Sequence, residues 1–104
     1  MRNIEASVIN LDNTTIRTFS TEICDACNLD VEAGTTGFKG GDSGHGCRTY
    51  IRLTPLLGAD IDAIKQENGT IEIIGAGDAE LRVLLEAFKF IIQELEDEIE
   101  GKNF

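Results

Sequence analysis

Long apolar runs are missing from this chain of 104 residues. No stretch approaches the roughly 18 apolar residues that a membrane span requires. The opening MRNIEASVIN lacks the apolar core of a signal peptide. The expectation is a cytoplasmic protein with no membrane partner, in which the sequons at Asn13 and Asn68 carry little weight. Cations are scarce, at nine Lys and Arg against nineteen Asp and Glu. A net charge of −10 repels polymeric nucleic acid and anionic surfaces, although a small anion can still bind where the few cations converge. Cysteine occurs three times, so a full disulfide framework within one chain is excluded. Histidine occurs once, as His45. The string Gly41-Asp-Ser-Gly44 is found around the nucleophile of some serine proteases, but the lone His45 lies two residues from Ser43, too near in sequence to serve as its base. No nucleophile–base pair or paired carboxylates emerge, and no catalytic residue is expected.

Glycine, by contrast, is concentrated. Six of the eleven glycines fall between Gly34 and Gly46, within the stretch GTTGFKGGDSGHGCRT that ends at Thr49. Glycine supplies positive φ and close backbone approach but is costly to order. Such density predicts a shaped loop that wraps something polar. It matches neither the Walker pattern nor the dinucleotide fingerprint, since no helix follows. Its amides can instead form an anion nest.

At this length the chain forms one domain, residues 1–104, and 41% apolar content fits a folded core. Ile4 to Leu11 alternates with period two, Asp12-Asn13 signals a turn, and Thr14 to Ile23 is rich in β-branched residues, which together predict a hairpin. Leu29 to Ala33 reads as a strand with Leu29, Val31 and Ala33 on one face. Arg48 to Thr54 resumes a strand, with Thr49, Ile51 and Leu53 on one face and Arg48, Tyr50 and Arg52 on the other, and Pro55 ends it. Ala59 to Gln66 fits two helical turns with Ile61 and Ile64 inward. Asn68-Gly69 is a turn, and Thr70 to Ile74 is a short buried strand. Asp78 to about Glu100 is a long helix, capped by Asp78 and stopped by Gly101. Its apolar stripe includes Leu81, Leu84, Leu85, Phe88, Ile91, Ile92, Leu95 and Ile99, with Val83, Ala87 and Phe90 beside it. That face is wider than one small sheet can cover, so the helix is expected to form a homodimer or higher oligomer. The acids Glu94 to Glu100 read as a solvated end, with an acidic docking surface as the competing reading. The fold class is therefore α+β: an antiparallel sheet of four to five strands packed on one long C-terminal helix.

The expected contacts to a small nucleotide-like anion are Thr35, Thr36, Asp42, Ser43, His45 and Arg48 as polar groups, with Phe38 or Tyr50 as a stacking face. Arg52 reads as structural, paired across strands with Asp30 and Glu32. Cys24-Asp-Ala-Cys27 has the spacing of a zinc knuckle, and His45 and Cys47 would complete a Cys₃His set. The competing reading is three buried thiols in a reducing compartment, with no cofactor.

The segment GTTGFKGGDSGHGCRTYIRL, set in a small acidic sheet with one long C-terminal helix, resembles the phage anti-Thoeris sponges, counter-defence proteins that sequester cyclic ADP-ribose signals. The resemblance implies a homo-oligomer that binds a nucleotide-derived messenger without turnover, in pockets near subunit interfaces. The alternatives are an acidic protein-interaction or inhibitor domain and a small zinc-stabilised structural domain.

Overall fold

A computed structural model describes residues 3–101. Its elements run in the order β1 (Glu5–Leu11), β2 (Thr14–Cys24), β3 (Asn28–Thr35), β4 (Thr49–Pro55), β5 (Ile61–Lys65), β6 (Ile71–Gly75) and α1 (Asp78–Ile99). Strands β1 to β4 form an antiparallel sheet in sequential order, and β5 pairs with β6 in a separate two-stranded ribbon. The fold is α+β, as its periodicities imply.

The β1–β2 turn is the one that Asp12-Asn13 signals. Both residues have positive φ, 50° and 61°, the hand that matches strand twist in a two-residue hairpin. In β2 and β3 the odd-numbered residues face α1: Ile23, Leu29, Val31 and Ala33 pack against Val83, Ala87 and Ile91. The even-numbered face is largely polar, with fully buried Ile16 of β2 as its apolar exception. There Arg52 pairs with Asp30 at 3.2 Å and Glu32 at 2.7 Å, and buried Glu32 also accepts from the Thr18 hydroxyl. The structural role expected for Arg52 is the observed one.

Three local expectations are corrected. Ala59 to Gln66 is not helical; its centre is β5, because Ile61 joins the core while Asn68-Gly69 returns the chain to pair Ala63 with Ile73. Thr70 to Ile74 is not buried, since every residue of β6 is exposed. Of the two strands of the ribbon only Ile61 is buried. Asp78 does not cap α1. Gly77 is the N-cap, with φ 125°, and a Cβ there would lie 2.3 Å from Glu80 Oε1.

Glu80 is buried in the first turn, where its carboxylate accepts from the Asp60 amide at 3.0 Å. That hydrogen bond, then the one from its own amide, holds the carboxyl below its ordinary range against the opposing effect of burial. Hydrogen bonds from Arg82 hold Asp25 down in the same way, tying the β2–β3 turn to the helix at 3.0 and 3.1 Å. A folded-state pKa below the unfolded one gives stability that is full above about pH 4.5 and is lost as pH falls through the folded value. Glu80→Gln should therefore be less stable than wild type at pH 7. The gap should narrow progressively as pH falls below about 4.5, as urea titrations at several pH values would show. A gap that stays constant with pH would remove the carboxylate's charge from the account.

Candidate functional site

The β3–β4 connection, residues 36–48, is closed at its neck by backbone and threonine hydroxyls. The Thr36 amide donates to the Arg48 carbonyl at 3.0 Å, and the Arg48 amide donates to Thr36 Oγ1 at 3.0 Å. Thr35 Oγ1 donates to the Arg48 carbonyl at 3.1 Å and shares a hydrogen bond with Thr49 Oγ1 at 3.0 Å. The Arg48 guanidinium then fastens the loop to itself. It donates to the carbonyls of Gly44 at 2.8 Å, Gly46 at 3.3 Å and Cys47 at 3.2 Å, and to Asp12 of the β1–β2 turn at 3.3 Å. Gly41 and Gly46 touch back to back: a Cβ on Gly41 would stand 2.7 Å from the Gly46 nitrogen. Two glycines are what this crossing requires.

The expected site residues separate into groups. Thr35 and Thr36 lie at the neck. Phe38 is 81% exposed and lines a small crevice of about 90 Å³ with Thr35, Gly37, Cys47, Thr49, Leu95 and Ile99. Asp42, Ser43 and His45 form an exposed turn, in which the His45 amide donates to the Asp42 carbonyl at 3.1 Å. Arg48 is spent on the loop's own carbonyls. Tyr50 sits on the sheet face opposite α1, in register with Gly34. These residues do not converge on one cavity.

The zinc set does not assemble. Cys24 and Cys27 flank the β2–β3 turn, whereas His45 and Cys47 lie in the loop beyond the far end of β3, an eight-residue strand roughly 25 Å long. No group of three or more metal-ligating side chains occurs among the described residues. Cys27 is a core thiol, pushed up by burial and then by Glu80, while Cys24 is exposed.

A different set does converge. The start of β2, the end of β3, the loop and the last turns of α1 border a shallow, open cleft of about 460 Å³ lined by Thr14, Thr15, Arg17, Thr35, Thr36, Lys39 and Glu98. Arg17 stands on the α1 face of β2, its guanidinium 5.4 Å from the Phe19 ring centroid, a cation–π distance. Its Nε and Nη2 are buried and have no hydrogen-bond partner among the described residues. Glu98 Oε1 is 3.8 Å from Nη2, an ion-pair separation beyond hydrogen-bond length. A larger groove of about 670 Å³ at the opposite end is lined by Glu5, Glu22 and Asp30 with Asn3, Ser20, Thr21 and Cys24, and these carboxylates oppose an anion.

Of the cleft, sequence reasoning reached Thr35 and Thr36, but did not place Thr14, Thr15, Arg17, Lys39 or Glu98 in a site. The available signal was Arg17 itself: in the alternation Thr15, Arg17, Phe19, Thr21, Ile23 it is a cation at a core-facing position. No family model matches the chain, and no match is found among curated proteins or solved structures. No helix among the described residues is long and apolar enough to cross a membrane.

Proposed function

We propose that this protein is a non-enzymatic binding module that captures a small nucleotide-derived anion, of the cyclic ADP-ribose or cyclic-nucleotide type, in the Arg17–Lys39 cleft. Its setting would be the cytoplasm, in the manner of the counter-defence sponges that the glycine segment resembles. The observation that carries the reading is the pair of buried, unpartnered guanidinium nitrogens of Arg17. Leaving a buried donor unmet costs about 1–3 kcal/mol, which folding alone does not recover. A phosphate oxygen satisfies such donors with charge assistance, and the guanidinium fork donates to two oxygens at once. Lys39 adds a second cation, and the Thr36 hydroxyl, which accepts from the Arg48 amide, retains a proton to donate to a phosphate or ribose oxygen. The cleft is a cationic spot on a strongly acidic chain, so it concentrates a small anion without attracting a polymeric one.

Titration calorimetry against cyclic ADP-ribose, 3′,5′-cyclic AMP and inorganic phosphate, with native mass spectrometry of the purified protein, tests this directly. Binding of a cyclic nucleotide, weakened by salt, is the expected result. No binding of any of the three at about 1 mM, and no co-purified nucleotide, would remove the proposal. Glu98 competes with an anion for Arg17, so Glu98→Gln should tighten binding about threefold to tenfold, and weaker binding would reverse the role assigned to that carboxylate.

A further inference from the structure

Helix α1 carries two apolar stripes. One faces the sheet through Val83, Ala87 and Ile91, which are buried. The other lies about 100° further round the helix and runs Leu81, Leu85, Phe88, Ile92, Leu95 and Ile99, with alternating spacings of four and three residues. Leu95 packs in part against the core, whereas Leu81, Leu85, Phe88, Ile92 and Ile99 are 43–60% exposed. At the stripe's C-terminal end Phe38 shares the small crevice with Leu95 and Ile99, and exposed Ile51 of β4 stands on the sheet face that α1 covers.

We infer that a second copy of this chain covers this stripe, its α1 running antiparallel to the first. The heptad spacing is that of a helix seam that packs on another helix. The five exposed stripe residues, Phe38 and Ile51 together offer roughly 700 Å² of apolar surface, taking about 190 Å² for a fully exposed large side chain. A stable interface buries about 800 Å² per partner including its polar rim, so the area suffices. Charge selects the direction. The outer flank of the stripe carries Asp78, Arg82, Glu86 and Lys89 towards the N-terminus, whose charges cancel, and the uncompensated Glu96 and Glu100 towards the C-terminus. Parallel helices would set the acidic ends side by side. Antiparallel helices keep the two acidic ends apart and set each against the nearly neutral half and the positive dipole end of the other. Arg82 is already held by Asp25, which leaves Lys89, joined to Glu86 only at 3.8 Å, to meet Glu96 of the second copy. The seam then layers Leu81 on Ile99, Leu85 on Leu95 and Phe88 on Ile92, each from opposite copies, and carries Leu81 towards the crevice beside Phe38.

Sedimentation of the full chain across a concentration series tests the assembly, with circular dichroism to follow the fold. Wild type should be dimeric at about 10 μM and above. Phe88→Glu and Ile92→Glu should each weaken the dimer at least about a hundredfold while the helix is retained. Lys89→Glu should weaken it about tenfold, and Lys89→Glu combined with Glu96→Lys should restore it to within about threefold of wild type. A wild type that is monomeric at about 100 μM overturns the proposal, as does a dimer indifferent to both glutamate substitutions. Failure of the charge exchange to restore association overturns the antiparallel arrangement. Loss of fold in both Phe88→Glu and Ile92→Glu would assign the stripe to the fold itself and equally overturn the interface. Association is read without nucleotide, so its failure leaves the cleft's function to be judged separately.

Discussion

Gly34→Ala should lower the thermal midpoint by about 10–20 °C, the equivalent of about 2–3 kcal/mol for a domain of this size. Gly34 belongs to the glycine-dense stretch but not to the loop; it sits inside β3, opposite Thr18 of β2. A Cβ there would lie 2.3 Å from the Arg17 carbonyl oxygen, 2.8 Å from Thr18 Cγ2 and 2.9 Å from Thr18 Cα. Two of those three atoms are backbone, so the side chain cannot be accommodated by a rotamer change, and β2 and β3 must separate. Thr18 is fully buried, and its hydroxyl serves Glu32, so separation also loosens a buried polar contact. Because the carbonyl is that of Arg17, the same substitution should also impair anion capture. A midpoint within about 3 °C of wild type would show that the strands are not held this close. Gly37→Ala and Gly40→Ala are the contrasting cases: their positive φ strains an alanine, but nothing stands within 4 Å of the added carbon.

Arg17→Ala should reduce cyclic nucleotide affinity at least about a hundredfold while shifting the thermal midpoint by less than about 5 °C. The small stability effect follows from what Arg17 does in the free protein. It makes one ion pair at 3.8 Å with Glu98 and stacks on Phe19, and its side chain is 40% exposed, so screening leaves little of that energy. Arg17→Lys keeps the charge but loses the planar fork, and about a tenfold loss is expected from it. Equal affinities for Arg17→Ala and wild type would move the ligand elsewhere. Arg48→Ala makes the complementary comparison. It removes four hydrogen bonds internal to the loop and its anchor, so its effect should be on loop order more than on direct contact.

How much of this was legible depends on whether the chemistry was local. The period-two patterns of β1, β2 and β3 and the 3.6-residue pattern of α1 are properties of short windows, and the sheet and helix followed from them. The β5 segment failed for a related reason. Ile61 and Ile64 satisfy a helical spacing as well as they fit a short strand, and the deciding feature was pairing with β6 across Asn68-Gly69, a contact between windows. The candidate site was harder still. A glycine loop invites the reading that its polar residues face a guest, yet Arg48 turns inward because loop carbonyls within four residues need a donor. Arg17 lay outside the loop, and only the register between β2 and β3 brings it beside Thr35 and Lys39. Gly34 shows the same division, since its place in the glycine-dense stretch suggested a shaped loop while its neighbours across the sheet demand the absence of a side chain.

Every strand of the sheet pairs with the strand that precedes it in the chain, and α1 follows all of them. During synthesis the meander can therefore zip together as it leaves the ribosome, because each new strand pairs with its immediate predecessor and the longest loop to close is residues 36–48. The row of Ile23, Leu29, Val31 and Ala33 stays uncovered until the final quarter of these residues emerges. Until then the nascent protein is a sheet with a greasy side, and Val83, Ala87 and Ile91 of the helix are what seal it.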